Sequence, residues 1–163
     1  MEEKIVLIVE DESKHLPAVR SIPVAGPVHV MKTERKAQYD LFFTDRRIIA
    51  AVVFSTSDLS KVYVSGPLRG FEVMMKYKKL REKRRQEFKN KTPDEILHMH
   101  PENFEIPYDR IRSIKVNKGL FGANIEIEAI HEGSIKKIKL PIPKKRFDDV
   151  KSVVNQYLGD KVK

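Results

Sequence analysis

Two stretches that read strand-turn-strand, Tyr39–Ala51 and Ile106–Val116, stand on either side of a basic, helix-forming run from about Phe71 to His100. Alternating apolar runs joined by tight turns pair antiparallel, because a short turn leaves no room for a crossover. The chain therefore predicts a small barrel or curled sheet with a long helical insertion.

Around that frame the strands follow from their patterns. Lys4–Glu10 (KIVLIVE) is β-rich, and Val28–Lys32 predicts a further short strand after a loop over Asp11–Pro27. A turn at Asp45-Arg46 pairs Phe43 with Ile48, Leu41 with Ala50 and Tyr39 with Val52. Large apolar groups then fall on both faces of the hairpin, so both faces should be covered. Val62-Tyr63-Val64 predicts another strand fragment, and Gly66-Pro67 breaks the pattern. After the insertion, Glu105–Asn117 is strand-like with a turn near Tyr108-Asp109, and Gly119 and Gly122 flank a tight connection. Asn124–Ile130 alternates strictly, and Ile135–Leu140 answers it across a turn at Glu132-Gly133. That register sets Glu128 against Lys137, Glu126 against Lys139, Ile127 against Ile138 and Ile125 against Leu140. One face is apolar and the other a ladder of opposite charges.

The helices have equally local signals. Phe71–Lys91 holds helix formers and no Gly or Pro. Val73, Tyr77, Leu80 and Phe88 make a stripe that Arg84 interrupts. The start of the helix should therefore be partly buried and the part beyond Leu80 should project into water. Thr92-Pro93-Asp94-Glu95 is a capping box with Pro at the first helical position, opening a short helix ended by Pro101. Phe147, Val150, Val154, Tyr157 and Leu158 form an apolar stripe on a last helix, which should pack on the sheet or plug a barrel mouth.

The formal net charge of +9 is concentrated. Residues 71–91 carry nine basic and three acidic side chains, so two-thirds of the net charge sits in that one segment. Cysteine is absent, which excludes disulfides and thiol chemistry. The N-terminus has no basic-then-apolar leader pattern, and the longest near-apolar run, Ile48–Phe54, is far short of the roughly 20 residues of a spanning helix. A cytoplasmic protein, at most peripheral to a membrane, is the expectation.

Leu41-Phe-Phe-Thr-Asp-Arg-Arg-Ile-Ile49, Ile106-Pro-Tyr-Asp-Arg-Ile111 and Lys118-Gly-Leu-Phe-Gly122, in this order before a terminal helix, resemble the pleckstrin-homology-like superfold. The likeness is to its bacterial and archaeal branch and to the related GRAM type. It covers residues 37–54 and 103–158. It implies a mainly β (α+β) single domain over residues 1–163: about seven antiparallel strands in a barrel, a C-terminal helix, and a helical insertion at 66–102. It also implies a binding or assembly module without enzymatic activity or cofactor.

Catalytic and metal signatures are weak. Gly119-x-x-Gly122 lacks the Lys-Ser/Thr of a phosphate loop. Asp148 and Asp149 are adjacent on a helix and point apart. His98 and His100 diverge on a helix and have no third ligand at a recognised spacing. The candidate ligand-binding residues are Lys76, Lys78, Lys79, Arg81, Lys83, Arg84 and Arg85. Such a run is either a solvated helix face or a contact surface for anionic lipid headgroups or a protein partner. A nucleic-acid-binding accessory protein and a self-assembling homo-oligomer are the alternatives. Lys136, Lys137, Lys139, Lys144, Lys145 and Arg146 form a second cluster, which the hairpin register already supplies in part with carboxylates.

Overall fold

The computed structural model describes residues 2–13, 37–62 and 69–163. The expected strand Val28–Lys32 and most of the expected loop Asp11–Pro27 lie outside the described residues. The chain divides into two compact units. One comprises Met1–Glu12, Asp40–Ala51 and Lys91–Lys163; the other comprises Ser13–Tyr39 and Val52–Asn90.

The first unit holds most of the β-structure. Strands β1 (Ile5–Val9), β2 (Ala37–Thr44), β3 (Arg47–Ser55) and β4 (Phe104–Pro107) form one antiparallel sheet in that order. Strands β5 (Ile111–Lys118), β6 (Ala123–His131) and β7 (Ser134–Ile142) form a second. Neither sheet closes on itself, so the expected single barrel is seen as two open sheets, of four and three strands. The strand-like run Glu105–Asn117 divides between them. The turn foreseen at Tyr108-Asp109 is a short 3-10 helix, Tyr108–Arg110, at which the chain passes from one sheet to the other. Three described strands thus precede the insertion and four follow it.

The hairpin turn lies at Asp45-Arg46, as its sequence predicts, and Thr44 stitches it. The Thr44 hydroxyl accepts from the Arg46 and Arg47 amides at 3.1 and 2.9 Å and donates to the Arg47 carbonyl at 2.9 Å. Both strands are buried along nearly their whole length, which matches apolar residues on both faces. In the second sheet the predicted register is met at every pair: Glu128 with Lys137, Glu126 with Lys139, Ile127 with Ile138 and Ile125 with Leu140. β5 extends both faces, with Ile114 beside Ile127 and Lys115 beside Glu126.

Helix α4 (Phe147–Leu158) buries Val150, Val154 and Leu158 and packs against β5 and β1. It therefore covers a strand of each sheet. Arg146, at its start, donates to the Ile8 carbonyl at 3.0 Å. The capping box of α3 (Pro93–His98) is complete: Thr92 accepts from the Glu95 amide, and Glu95 accepts from the Thr92 amide. Arg47 ties that first turn to the strands. Its guanidinium bonds Glu3 at 2.6 and 2.9 Å and also contacts Asp94 and Glu105. Burial pushes the Arg47 guanidinium's pKa down, but the hydrogen bonds and charges of these carboxylates outweigh it and hold the group above its ordinary value.

The second unit is built on α2 (Arg69–Phe88) and a short helix, α1 (Leu59–Val62), which follows β3 through a 3-10 turn, Thr56–Asp58. The strand fragment expected at Val62-Tyr63-Val64 is corrected at Val62, which is helical and buried in an apolar cluster with Phe54 and Tyr77; Tyr63 and Val64 lie outside the described residues. Asp58 caps the turn, accepting from the Ser55 amide at 2.9 Å, so helix rather than strand follows. Leu59, Val73, Met74 and Leu80 pack on the cluster. The Phe54 and Tyr77 rings meet edge to face at 4.9 Å, the arrangement that ring quadrupoles favour.

Candidate functional site: the two faces of the long helix

At 3.6 residues per turn, Val73, Tyr77, Leu80, Arg81, Arg84 and Phe88 share one side of α2. Tyr77, Arg81 and Phe88 are buried, and Arg84 is only 14% exposed. The helix is therefore held along its length. The expected projection into water beyond Leu80 is corrected, because Arg81 and Phe88 beyond it are buried and Arg84 nearly so, while Phe71 at the start is 70% exposed.

The arginines are the reason. Arg84 does not interrupt the stripe; it belongs to it, because its partner is buried there. Its guanidinium donates to both oxygens of Asp58, at 2.6 and 2.8 Å. Asp58 is 1% exposed and takes a second cation, Lys61, at 3.0 Å. Burial alone would raise the Asp58 carboxyl. The hydrogen bonds from Arg84, Lys61 and the Ser55 amide outweigh it and hold the group well below the usual carboxylate range. Arg81 donates to the Ser13 carbonyl at 2.6 Å and to the Tyr77 hydroxyl at 3.0 Å, with its guanidinium 5.1 Å from the Tyr77 ring centre. The same hydroxyl lies 2.5 Å from the Gln38 amide oxygen. Arg85 is half-buried.

Of the seven candidate residues, Lys76, Lys78, Lys79 and Lys83 remain exposed. They share the outer side with Phe71 and Met75, which are 70% and 46% exposed. Lys83 has Glu87 at 3.9 Å, and Gln86 bonds Glu82 at 2.5 Å. The second half of the outer face is thus mixed in charge. The first half joins two apolar side chains to Lys78 and Lys79 on the following turn, with one exposed carboxylate, Glu72, beside them.

Most of the other candidates are occupied locally. In the second basic cluster, Lys137 and Lys139 pair with Glu128 and Glu126 at 3.5 and 3.2 Å. Lys145 pairs with Glu12 at 2.5 Å and Arg146 with Asp149 at 2.8 Å. Glu128 also accepts from Ser113 and Lys163, and these hydrogen bonds hold its carboxyl below its ordinary value. His98 lies 2.7 Å from the Asp94 carbonyl through Nδ1, whereas His100 Nδ1 accepts from the Glu102 amide. Among the described residues no three His, Cys, Asp or Glu side chains are grouped to hold a metal. No described helix is long and apolar enough to cross a membrane.

Sequence reasoning missed Asp58. The signal was present as Ser55-x-x-Asp58 ahead of a helix, the spacing of an N-terminal cap, but its long-range partner had no local trace. Comparison of the chain with protein-family models, with curated proteins and with solved structures finds no match.

Proposed function

We propose that the chain is a non-catalytic binding module of the pleckstrin-homology-like type that lays the first half of α2 on an anionic membrane surface. The fold part is supported by element order: a four-stranded and a three-stranded antiparallel sheet, a closing helix, and a helical segment between β3 and β4. The functional part is carried by one observation. Phe71 and Met75, 70% and 46% exposed, stand one turn apart, with Lys78 and Lys79 on the next turn. An interfacial helix needs this combination, with apolar groups at the acyl boundary and cations at the level of the phosphates. Binding to nucleic-acid phosphates would give the exposed Phe and Met nothing to do, so lipid is favoured.

Sedimentation with phosphatidylcholine vesicles, with and without phosphatidylserine, tests this. The protein should follow the anionic vesicles alone. Changing Lys76, Lys78, Lys79 and Lys83 to Glu should abolish binding, since each cation near an anionic surface contributes about 1 kcal/mol. Phe71→Ser with Met75→Ser should weaken it at low and high salt alike. Equal binding to both vesicle types, or a reversed variant that binds like the parent, would overturn the reading. Tight, salt-sensitive binding to duplex DNA without vesicle binding would replace it with the nucleic-acid one.

A further inference from the structure

The turn between β5 and β6 exposes Leu120 and Phe121, at 80% and 98%. Phe121 is the most exposed large apolar side chain among the described residues. The pair is held in this position. The Gly119 amide donates to the Gly122 carbonyl at 2.7 Å, closing the turn, and the Lys144 ammonium donates to the Leu120 carbonyl at 3.1 Å. Flanking strands β5 and β6 are in register up to Lys118 and Ala123, so the tip stands at the end of a paired ribbon.

Three lysines lie near it. Lys118 adjoins the turn, with its ammonium 5.0 Å from the Phe147 ring centre, and Lys151 approaches the same ring at 5.8 Å. Lys118, Lys144 and Lys151 have no carboxylate partner among the described residues, unlike Lys137, Lys139 and Lys145. Two bare apolar side chains with lysines nearby that lack carboxylate partners fit a surface that is anionic outside and apolar within. A second copy of the same tip would bring like charges together, so self-association through it is disfavoured.

We propose that residues 118–122 form an insertion tip, with Leu120 and Phe121 entering the acyl boundary of an anionic membrane while Lys118, Lys144 and Lys151 meet the headgroup phosphates. This shares the anionic-surface reading of the previous section but rests on different residues, and it does not need α2.

The chain contains no tryptophan, so Phe121→Trp gives a single indole reporter at the tip. On phosphatidylserine-containing vesicles its emission should shift to the blue and be quenched by brominated acyl chains; on pure phosphatidylcholine it should not move. Leu120→Ser with Phe121→Ser should lower vesicle partitioning at least tenfold, the least expected from withdrawing two large apolar side chains. The circular dichroism of that variant should stay unchanged, since both side chains leave the core untouched. If the Phe121→Trp protein sediments with vesicles and its indole emission stays unshifted, the tip is overturned and the α2 reading stands. A shifted indole emission in a protein whose binding survives the α2 charge reversal would do the opposite. A blue shift that grows with protein concentration, without vesicles, would make the tip a self-association contact and overturn the proposal. A blue shift with an acidic polypeptide but not with vesicles would make it a protein site and overturn it equally.

Discussion

Arg84 grips both carboxylate oxygens of Asp58, at 2.6 and 2.8 Å, and Asp58 is 1% exposed. One of the cations in the densest basic run of the chain is thus an internal staple, joining α2 to the turn that follows β3. Removing one partner of a buried pair leaves the other charged without compensation. Arg84→Ala should destabilise the protein by about 3 kcal/mol in urea unfolding. Lys83→Ala, on the exposed side, should change it by less than about 0.5 kcal/mol. Changing both Arg84 and Asp58 to apolar residues should cost less than changing Arg84 alone.

Acid should expose the same relationship. The folded Asp58 carboxyl lies below its unfolded value, so its contribution is fully present above the unfolded pKa of about 3.9 and is lost as pH falls toward the folded value. Asp58→Asn should be much less stable than the parent at pH 7, with a gap that narrows steadily below about pH 4. A gap independent of pH would remove the charge pairing as its cause.

Tyr77→Phe removes a hydroxyl that meets Gln38 at 2.5 Å, Arg81 at 3.0 Å and the Ser13 carbonyl at 3.2 Å. The ring still packs on Phe54, so the loss isolates the polar contacts. A cost of about 1 to 3 kcal/mol is expected, because buried groups are left without their partner. Reversing Arg81, Arg84 and Arg85 together should therefore unfold this unit, and a melting curve like the parent's would contradict the burial of Arg81.

In the second sheet, Lys139 is 63% exposed beside Glu126. Lys139→Ala should change stability by less than about 1 kcal/mol, as exposed ion pairs do. It should leave vesicle binding unaltered, and a large loss would shift the lipid contact from α2 to β7.

These contrasts mark what could be read in the sequence. Strand alternation and the Glu/Lys ladder are local, period-two signals, and they foretold the β6–β7 register pair by pair. The capping box at Thr92 and the stripe of α4 were equally local. The direction in which a cation points is not. Arg81 and Lys79 look alike in a charge count, and only the helix phase together with buried partners from other segments separates them. Tyr108 was legible as a turn residue. The turn's role as the passage between two sheets depends on which edges were free to pair. The Leu120-Phe121 tip lay in plain view between two glycines, but its exposure follows from the ribbon ending there.

The margins of the second sheet act on a larger scale. β7 is an outer strand with Pro141 within it and exposed Lys136, Lys137 and Lys139 along it. At the opposite margin of the sheet, Val162 bridges to Ile114 and the Lys163 amide reaches the Ile114 carbonyl at 3.0 Å. An incoming strand thus meets a proline without a donor and flanking lysines on one side, and an edge already bridged at Ile114 on the other. The consequence is a sheet poorly suited to growth by edge-to-edge strand addition.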